Sequence, residues 1–224
     1  MQGTMLRAVT SVLVFFLGIS GTAAGQNPQG AQAPPSKKLS YEELLEQVKK
    51  QDPLVDYAAL RMAYTATFSY EPYADLSQKR ESMFKALKDK NYSVAIEIAD
   101  GILKTDYVDI DAHYIEHSAY TALGNQRLAD FHGDVAGGLI DSILKSGDGL
   151  GPATAYTVIC VREEYLVLSV KGLKAGSQEL VHDKGHSYDL LNAEDESSGE
   201  RVRFYFNIDL PMASLGAKMG KRTS

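Results

Sequence analysis

The densest group of residues able to do chemistry is His113-Tyr114-Ile115-Glu116-His117, which has the order H-x-x-E-H. Residues four apart lie on one face of a helix, so His113 and His117 could share a zinc ion while Glu116 acts as a base. A zinc site needs a further ligand, for which the sequence offers three candidates without a diagnostic spacing, namely His132, His182 and His186. The motif therefore suggests a zinc-dependent hydrolase as one hypothesis.

A second interpretation of the same stretch needs no metal. Inverzincin metalloproteases have the same order H-x-x-E-H. However, a short motif without its structural context is weak evidence for a zinc site. The helical spacing of Ala112, Ile115, Ala119 and Leu123 already predicts a helix with a buried apolar stripe. His113 and His117 then lie beside that stripe as side features of a scaffold helix.

The remaining motifs predict no catalytic, cofactor-binding or metal-binding residue. His182 and His186 flank Lys184-Gly185, a hairpin turn that would place the two rings on different strands. The glycine-rich stretch 147–151 lacks the G-K-[ST] of a phosphate-binding loop, and no serine lies in a G-x-S-x-G elbow. Cys160, the only cysteine, lies in an apolar run and is predicted to be a small buried side chain.

Residues 39–146 are predicted to form helical hairpins. Ser40 and Glu43 have the spacing of a capping box, and Asp56 and Asp109 can cap later helices. A third helix is expected from about Leu76 to Lys88. After the turn at residues 89–91 we expect a helix that includes Ala95 to Ile102, and then two helices that end at the turns 124–125 and 146–147. Leu128, Phe131, Val135, Leu139 and Ser142 are expected to face the core from the last helix.

The later hairpins resemble tetratricopeptide units. Ala95 and Ala129 lie 34 residues apart, which is the period of that repeat, and Tyr120 precedes Ala129 by nine residues. The resemblance implies paired antiparallel helices that approach closely at the alanines. His113 and Asp141 depart from the consensus, which often has an aromatic residue and a proline at those places.

Residues 147–210 are predicted to form an antiparallel β-meander packed on the helices, which gives an α+β fold. The alternation of apolar and polar side chains predicts five strands: Ala155 to Val161, Glu164 to Lys171, Ser177 to His182, His186 to Asn192 and Arg201 to Ile208. A short helix that begins at Glu163-Glu164-Tyr165 and runs toward Leu173 is an alternative to the second strand, since acidic residues favour a first helical turn. Residues 211–224 are predicted to form a flexible tail.

The first residues predict export. Arg7 precedes an apolar run from Val12 to Ile19 and a small-residue segment that ends at Gly25, the order of a secretory signal peptide over residues 1–25. Residues 26–38 have the composition of a disordered linker. Removing residues 1–25 leaves 22 basic and 29 acidic side chains, a balance that disfavours nucleic-acid partners. No later run is long enough to predict a membrane-spanning segment in the mature chain, so a periplasmic or extracellular location is expected.

Several short motifs are spread from about Leu44 to Asp209: LRMAYT at 60–65, YEPY at 70–73, DIDAH at 109–113, LKSGDG at 144–149, and GHSYDLL with YFNID near the end. With these motifs the mature chain resembles a family of uncharacterised exported bacterial proteins classed as a domain of unknown function. The resemblance implies an exported protein of unassigned activity and provides no catalytic residue. We therefore expect a non-enzymatic module that binds a protein partner, with the zinc-dependent hydrolase as the alternative. A third hypothesis is the binding of a small ligand in a cleft between helices and sheet, which rests on Tyr57, Tyr64, Tyr70 and Tyr73.

Overall fold

The computed structural model describes residues 38–222, and their side chains as far as residue 215. The predicted signal peptide and all but the last residue of the predicted linker lie outside the described residues. Within them, eight α-helices and a four-stranded sheet are present. The α+β class predicted from the sequence is therefore confirmed.

Six helices occupy the first part of the described chain: α1 Tyr41–Lys49, α2 Tyr57–Tyr64, α3 Ser77–Lys88, α4 Tyr92–Leu103, α5 Ile110–Ala122 and α6 Gln126–Leu144. Ser40 and Glu43 form the capping box of α1 through reciprocal side-chain and backbone hydrogen bonds. Asp56 and Asp109 accept hydrogen bonds from backbone amides in the first turns of α2 and α5. The caps predicted from the sequence therefore place the starts of these three helices.

From α3 onward each helix packs on the next, and α3 also contacts α5. Alanines at the contacts allow this close packing, since Ala95, Ala99 and Ala112 are fully buried together with Ile115. The buried apolar stripe predicted for α5 ends at Leu123, and the prediction is wrong for that residue. Leu123 is 53% exposed because it caps the end of the helix, one turn beyond the packed region.

Three glycines lie inside α6, and two of them allow a close approach by a neighbouring ring. A Cβ at Gly138 would lie 2.3 Å from the ring of Tyr57 on α2, and one at Gly133 would lie 2.8 Å from the ring of His117. A Cβ at Gly137 would meet no atom within 4 Å. Close packing therefore accounts for two of the three glycines, against helices α2 and α5.

Gly138→Ala and Gly137→Ala form a matched pair with opposite expected effects. Gly138→Ala is expected to lower the free energy of unfolding by about 1–3 kcal/mol, because the methyl group must displace the Tyr57 ring. Gly137→Ala should raise it by up to about 1 kcal/mol, because alanine favours the helix and has open space there. Urea unfolding of both variants measures the difference, and equal effects would contradict the described contact.

The sheet is mixed and is not the pure antiparallel meander predicted from the sequence. Its strands are β1 Tyr156–Thr157, β2 Leu173–Asp183, β3 His186–Asp195 and β4 Arg201–Asn207, in the spatial order β1-β4-β3-β2. Strands β2, β3 and β4 pair antiparallel, as expected, but β1 pairs parallel to β4 at the edge. A parallel pair needs a long connection, which is provided here by a helix and two strands.

That helix is α7, Val161–Val170, and it replaces the predicted strand Glu164 to Lys171. The alternative helix beginning near Glu163 is therefore the correct prediction. Glu163, Glu164, Val167 and Leu168 are all buried, a pattern of helical period that places one face of α7 in the core. The strand prediction failed because a short run rich in Val, Leu and Tyr fits both periods.

The structure has a further helix, α8 Asp209–Arg222, where the sequence predicts a flexible tail. Asp209 begins it and accepts a hydrogen bond from the backbone amide of Ser187 at 2.8 Å, which ties the helix start to β3. Among the described residues, no helix has both the length and the apolar character needed to cross a membrane.

The main core joins the first two helices and α6 to α7 and the sheet. Leu60, Leu139, Ile143, Leu168 and Phe206 lie fully or almost fully buried in it. The helical region and the sheet therefore share one core, and the residues that face one another across it come from distant parts of the chain.

Candidate functional site

A cavity of about 380 Å³ opens where the helical region meets α7. The loop after α2 provides Tyr70 and Tyr73, α3 provides Arg80, and the α4–α5 connection provides Asp106. The start of α5 and the start of α7 close the remaining sides. We call this cavity the tyrosine–acid cleft, after the tyrosines and carboxylates that line it: Tyr64, Tyr70, Tyr73, Glu71, Asp75, Asp106, Asp109, Asp111 and Glu163.

Two arginines hold the start of α5 within the cleft wall. Arg80 Nη1 donates to Asp111 Oδ2 at 2.8 Å and to Asp109 Oδ1 at 3.1 Å. Arg162 donates to the two carboxylate oxygens of Asp111 at 2.6 and 2.9 Å. Asp109 and Asp111 are almost fully buried, and such paired, charge-assisted hydrogen bonds fix side-chain orientation more strongly than neutral ones. These hydrogen bonds therefore fix the orientation of the wall, and each of its arginines is already paired with an aspartate.

A buried ion pair lies beneath the cleft. Arg61 on α2 is 1% exposed and Glu163 on α7 is 3% exposed. Arg61 donates to Glu163 Oε1 at 3.0 Å and to Glu163 Oε2 at 2.5 Å. It also donates to Ser142 Oγ on α6 at 3.2 Å and to the carbonyl of Thr157 on β1 at 3.1 Å. One guanidinium thus connects four elements under the cleft floor.

Asp106 is the carboxylate that can exchange a proton near neutral pH. Burial is the main cause that raises its pKa to about 7, and the neighbouring Asp109 carboxylate raises it further. The backbone amide of Val108 donates to its Oδ1 at 3.2 Å. The cleft therefore gains negative charge as the pH rises through the neutral range.

The tyrosines of the cleft are held by hydrogen bonds to backbone carbonyls. Tyr70 donates its hydroxyl to the carbonyl of Ile159 at 2.6 Å, and Tyr64 donates to that of Ser69 at 3.2 Å. Burial raises the pKa of both hydroxyls above the ordinary value of tyrosine. Tyr73 is 46% exposed and presents its ring to solvent at the mouth.

Cys160 also lines the cleft, but its environment disfavours a nucleophilic thiolate. Burial raises the pKa of the thiol well above its ordinary value, and the carboxylates of Glu163 and Asp106 raise it further. The side chain therefore remains a thiol, in agreement with the small, unreactive role that the sequence predicts.

The histidines of the H-x-x-E-H stretch lie outside this cleft and point to different partners. His113 is fully buried, with Nε2 2.9 Å from the carbonyl of Tyr107 and Nδ1 3.0 Å from His132 Nδ1. His117 Nδ1 lies 2.8 Å from the carbonyl of Ala129. Glu116 pairs with Nε2 of His132 at 2.8 Å rather than with either histidine of its own motif.

Of the three candidate further ligands, only His132 lies beside this group. His182 and His186 are on the β2–β3 hairpin, where His182 contacts Ser187 and His186 contacts Asp209. In the part of the chain that the structure describes, no three side chains of His, Cys, Asp or Glu are arranged to hold a metal ion. The zinc-dependent hydrolase stays a prediction, which metal analysis of the purified protein with a His117→Ala control would test.

Comparison with known families places the chain in one of them. Residues 34–215 match the family model described as a domain of unknown function, DUF4919. The chain belongs to the DUF4919 family. No curated protein and no solved structure matches the chain.

Three of the six motifs quoted above for the family resemblance meet at the tyrosine–acid cleft of this DUF4919 protein. All four residues of YEPY and the first three residues of DIDAH line it. Arg61 of LRMAYT forms the buried ion pair beneath it. Sequence reasoning missed the roles of Arg61, Arg80, Asp106, Arg162 and Glu163. A charged residue at the centre of the otherwise apolar stretch LRMAYT was the available signal.

Proposed function

We propose that this DUF4919 protein is an exported, non-enzymatic interaction module whose tyrosine–acid cleft receives a basic segment of a protein partner. The observation that carries the proposal is the charge and shape of the cleft. Six carboxylates line a cavity of about 380 Å³. They face two arginines of the wall, which are paired with Asp111, and a third arginine, Arg61, which is paired with Glu163 beneath the cleft. A lysine or arginine side chain has the size and the charge that this cavity lacks.

Aromatic rings at the mouth add a second attraction for a cation. A lysine ammonium or an arginine guanidinium is attracted to the face of a tyrosine ring by roughly 0.5–2 kcal/mol. The exposed ring of Tyr73 is available for such a contact. Tyrosines are also enriched among the residues that contribute most to protein–protein binding.

The helical hairpins support the same function because hydrogen bonds fix the orientation of the cleft wall. Helices that resemble tetratricopeptide units commonly present grooves to partners, and here the start of α5 contributes Asp109 and Asp111 to the wall. Export rests on the signal peptide predicted for residues 1–25. The partner is therefore expected in the periplasm or outside the cell.

Titration with an N-acetylated, C-amidated tetralysine peptide tests this proposal. Tyr73→Ala is expected to weaken binding about tenfold, equivalent to about 1.4 kcal/mol, because the variant loses the ring at the mouth. Phe68→Ala is the matched control, since Phe68 lies in the same loop, is fully exposed and does not line the cleft. Equal effects of the two variants in isothermal titration calorimetry would show that the cleft is not the binding site.

A further inference from the structure

A second cavity, of about 450 Å³, lies on the helical region and does not belong to the tyrosine–acid cleft. Helices α1, α4, α5 and α6 and the α4–α5 connection surround it. We call it the lysine-rimmed groove, and its polar and aromatic lining consists of Tyr41, Lys49, Ser69, Asp100, Lys104, Thr105, Tyr107, Glu116, Tyr120 and His132.

A chain of hydrogen bonds with a fixed direction ends in this groove. A carbonyl can only accept, so Tyr107 requires the proton of His113 to be on Nε2. Burial lowers the pKa of His113 to about 3, which keeps the ring neutral and leaves Nδ1 as an acceptor. His132 must therefore donate from Nδ1, and its Nε2 faces Glu116 Oε2 at 2.8 Å. A single proton therefore lies between His132 Nε2 and Glu116 Oε2.

The other oxygen of Glu116 has no donor. Glu116 is 1% exposed, yet no hydrogen-bond partner among the described residues contacts its Oε1. Asp100 on α4 lines the same groove, but an ionised carboxylate is also an acceptor. Burial is the main cause that raises the pKa of Glu116, and Asp100 raises it further. Glu116 Oε1 therefore faces the groove without the donor that a buried acceptor requires, and the exposed carboxylate of Asp100 lines the same groove.

The rim of the groove carries the opposite charge. Lys49 and Lys104 are exposed and line it. Lys49 has one exposed contact, 3.9 Å from Glu46 on its own helix, and Lys104 forms no ion pair within the described residues. Tyr41, Tyr107 and Tyr120 also line the groove. The groove thus combines the buried carboxylate of Glu116 and the exposed carboxylate of Asp100 with two exposed lysines and three tyrosines.

We propose that the lysine-rimmed groove binds a small zwitterion with a free ammonium and a free carboxylate, such as an amino acid or a short peptide. The ammonium lies between Glu116 Oε1 and Asp100, where its N–H groups provide the missing donors. The carboxylate of the ligand contacts the lysines of the rim. Charge-assisted hydrogen bonds of this kind are about twice as strong as neutral ones, so both ends contribute to recognition.

Binding of the dipeptide alanyl-alanine, measured by isothermal titration calorimetry on the whole mature protein, tests the proposal. The N-acetylated dipeptide is expected to bind at least about tenfold more weakly, because it has no ammonium. The C-amidated dipeptide should also bind more weakly, since it has no carboxylate to contact the lysines of the rim. Free alanine distinguishes an amino-acid site from a peptide site, and either result supports the shared chemistry.

Asp100→Asn is the preferred variant because Asp100 is exposed and its replacement leaves the buried pair of Glu116 and His132 in place. This variant is expected to bind alanyl-alanine about tenfold more weakly than the wild type. Glu97→Gln, an exposed change on the same helix that does not line the groove, should leave the affinity unchanged. Absent binding of alanyl-alanine, equal binding of its acetylated form, or an Asp100→Asn variant with unchanged affinity would overturn the proposal. Because tetralysine also has ammonium groups, each variant is titrated with both ligands: Asp100→Asn should leave tetralysine binding unchanged, and Tyr73→Ala should leave alanyl-alanine binding unchanged.

Discussion

Arg61→Ala is expected to lower the free energy of unfolding by about 3–5 kcal/mol, because it leaves the Glu163 carboxylate buried without its counter-charge. The variant also removes the donors that reach Ser142 and the carbonyl of Thr157. Glu163 keeps only the hydrogen bond from the Ile159 amide at 2.8 Å. Urea unfolding followed by circular dichroism measures the loss.

Two controls separate the buried charge from a general effect of removing an arginine. Arg201→Ala removes an exposed arginine that lies 3.4 Å from Glu194, and it should change the free energy of unfolding by less than about 0.5 kcal/mol. Arg61→Met combined with Glu163→Gln removes both charges and should recover part of the stability lost in Arg61→Ala. A loss below about 1 kcal/mol in Arg61→Ala would contradict the buried pair that the structure describes.

Glu164→Gln is expected to stabilise the protein at pH 8 by about 2–5 kcal/mol and to have little effect at pH 4. Glu164 is fully buried on α7, and no donor among the described residues contacts either of its carboxyl oxygens. Burial raises its pKa to about 9, and the neighbouring Asp189 carboxylate raises it further. The folded protein therefore keeps a proton on Glu164 at neutral pH.

The direction of the pH effect follows from that raised pKa. Between pH 4.5 and about 9 the unfolded chain has lost the proton while the folded chain holds it. The contribution of Glu164 to the free energy of unfolding is therefore fully present below the pKa of the unfolded chain. It is lost as the pH rises toward 9. A glutamine amide can donate to Asp189 at every pH, so the variant lacks this dependence.

Urea unfolding from pH 4 to pH 9 measures the effect. Glu179→Gln, an exposed change on β2, is the matched control and should follow the wild-type profile. Parallel profiles of Glu164→Gln and wild type would show that Glu164 is ionised in the folded protein at neutral pH.

Much of the helical region could be predicted from the sequence because its signals are local. Ser40, Asp56 and Asp109 mark helix starts through contacts made within three residues. The helix α7 and the strand β1 depend on distant parts of the chain. Strand β1 has two residues and exists only because β4, about 50 residues later, lies beside it. A short apolar run does not reveal which partner it will have.

The residues of the tyrosine–acid cleft were harder to predict than the fold, for a physical reason. The local spacing of the motif His113 to His117 suggests that its histidines could share a metal ion. The structure directs its side chains instead to Tyr107, Ala129 and His132. The cleft instead combines residues from Tyr64 to Leu166. Arg61 and Glu163 are 102 positions apart, and no spacing rule joins residues at such a separation.

The most direct test of the proposed function compares blocked tetralysine and tetraglutamate peptides in calorimetric titrations of the wild-type mature protein at pH 8 and low salt. Asp106 is then mostly ionised, since its pKa is about 7. We expect saturable binding of tetralysine with one peptide per protein, and no tetraglutamate binding that depends on Tyr73. Tetraglutamate binding that Tyr73→Ala weakens, or no binding of tetralysine, would contradict the assignment of the tyrosine–acid cleft to a basic partner segment.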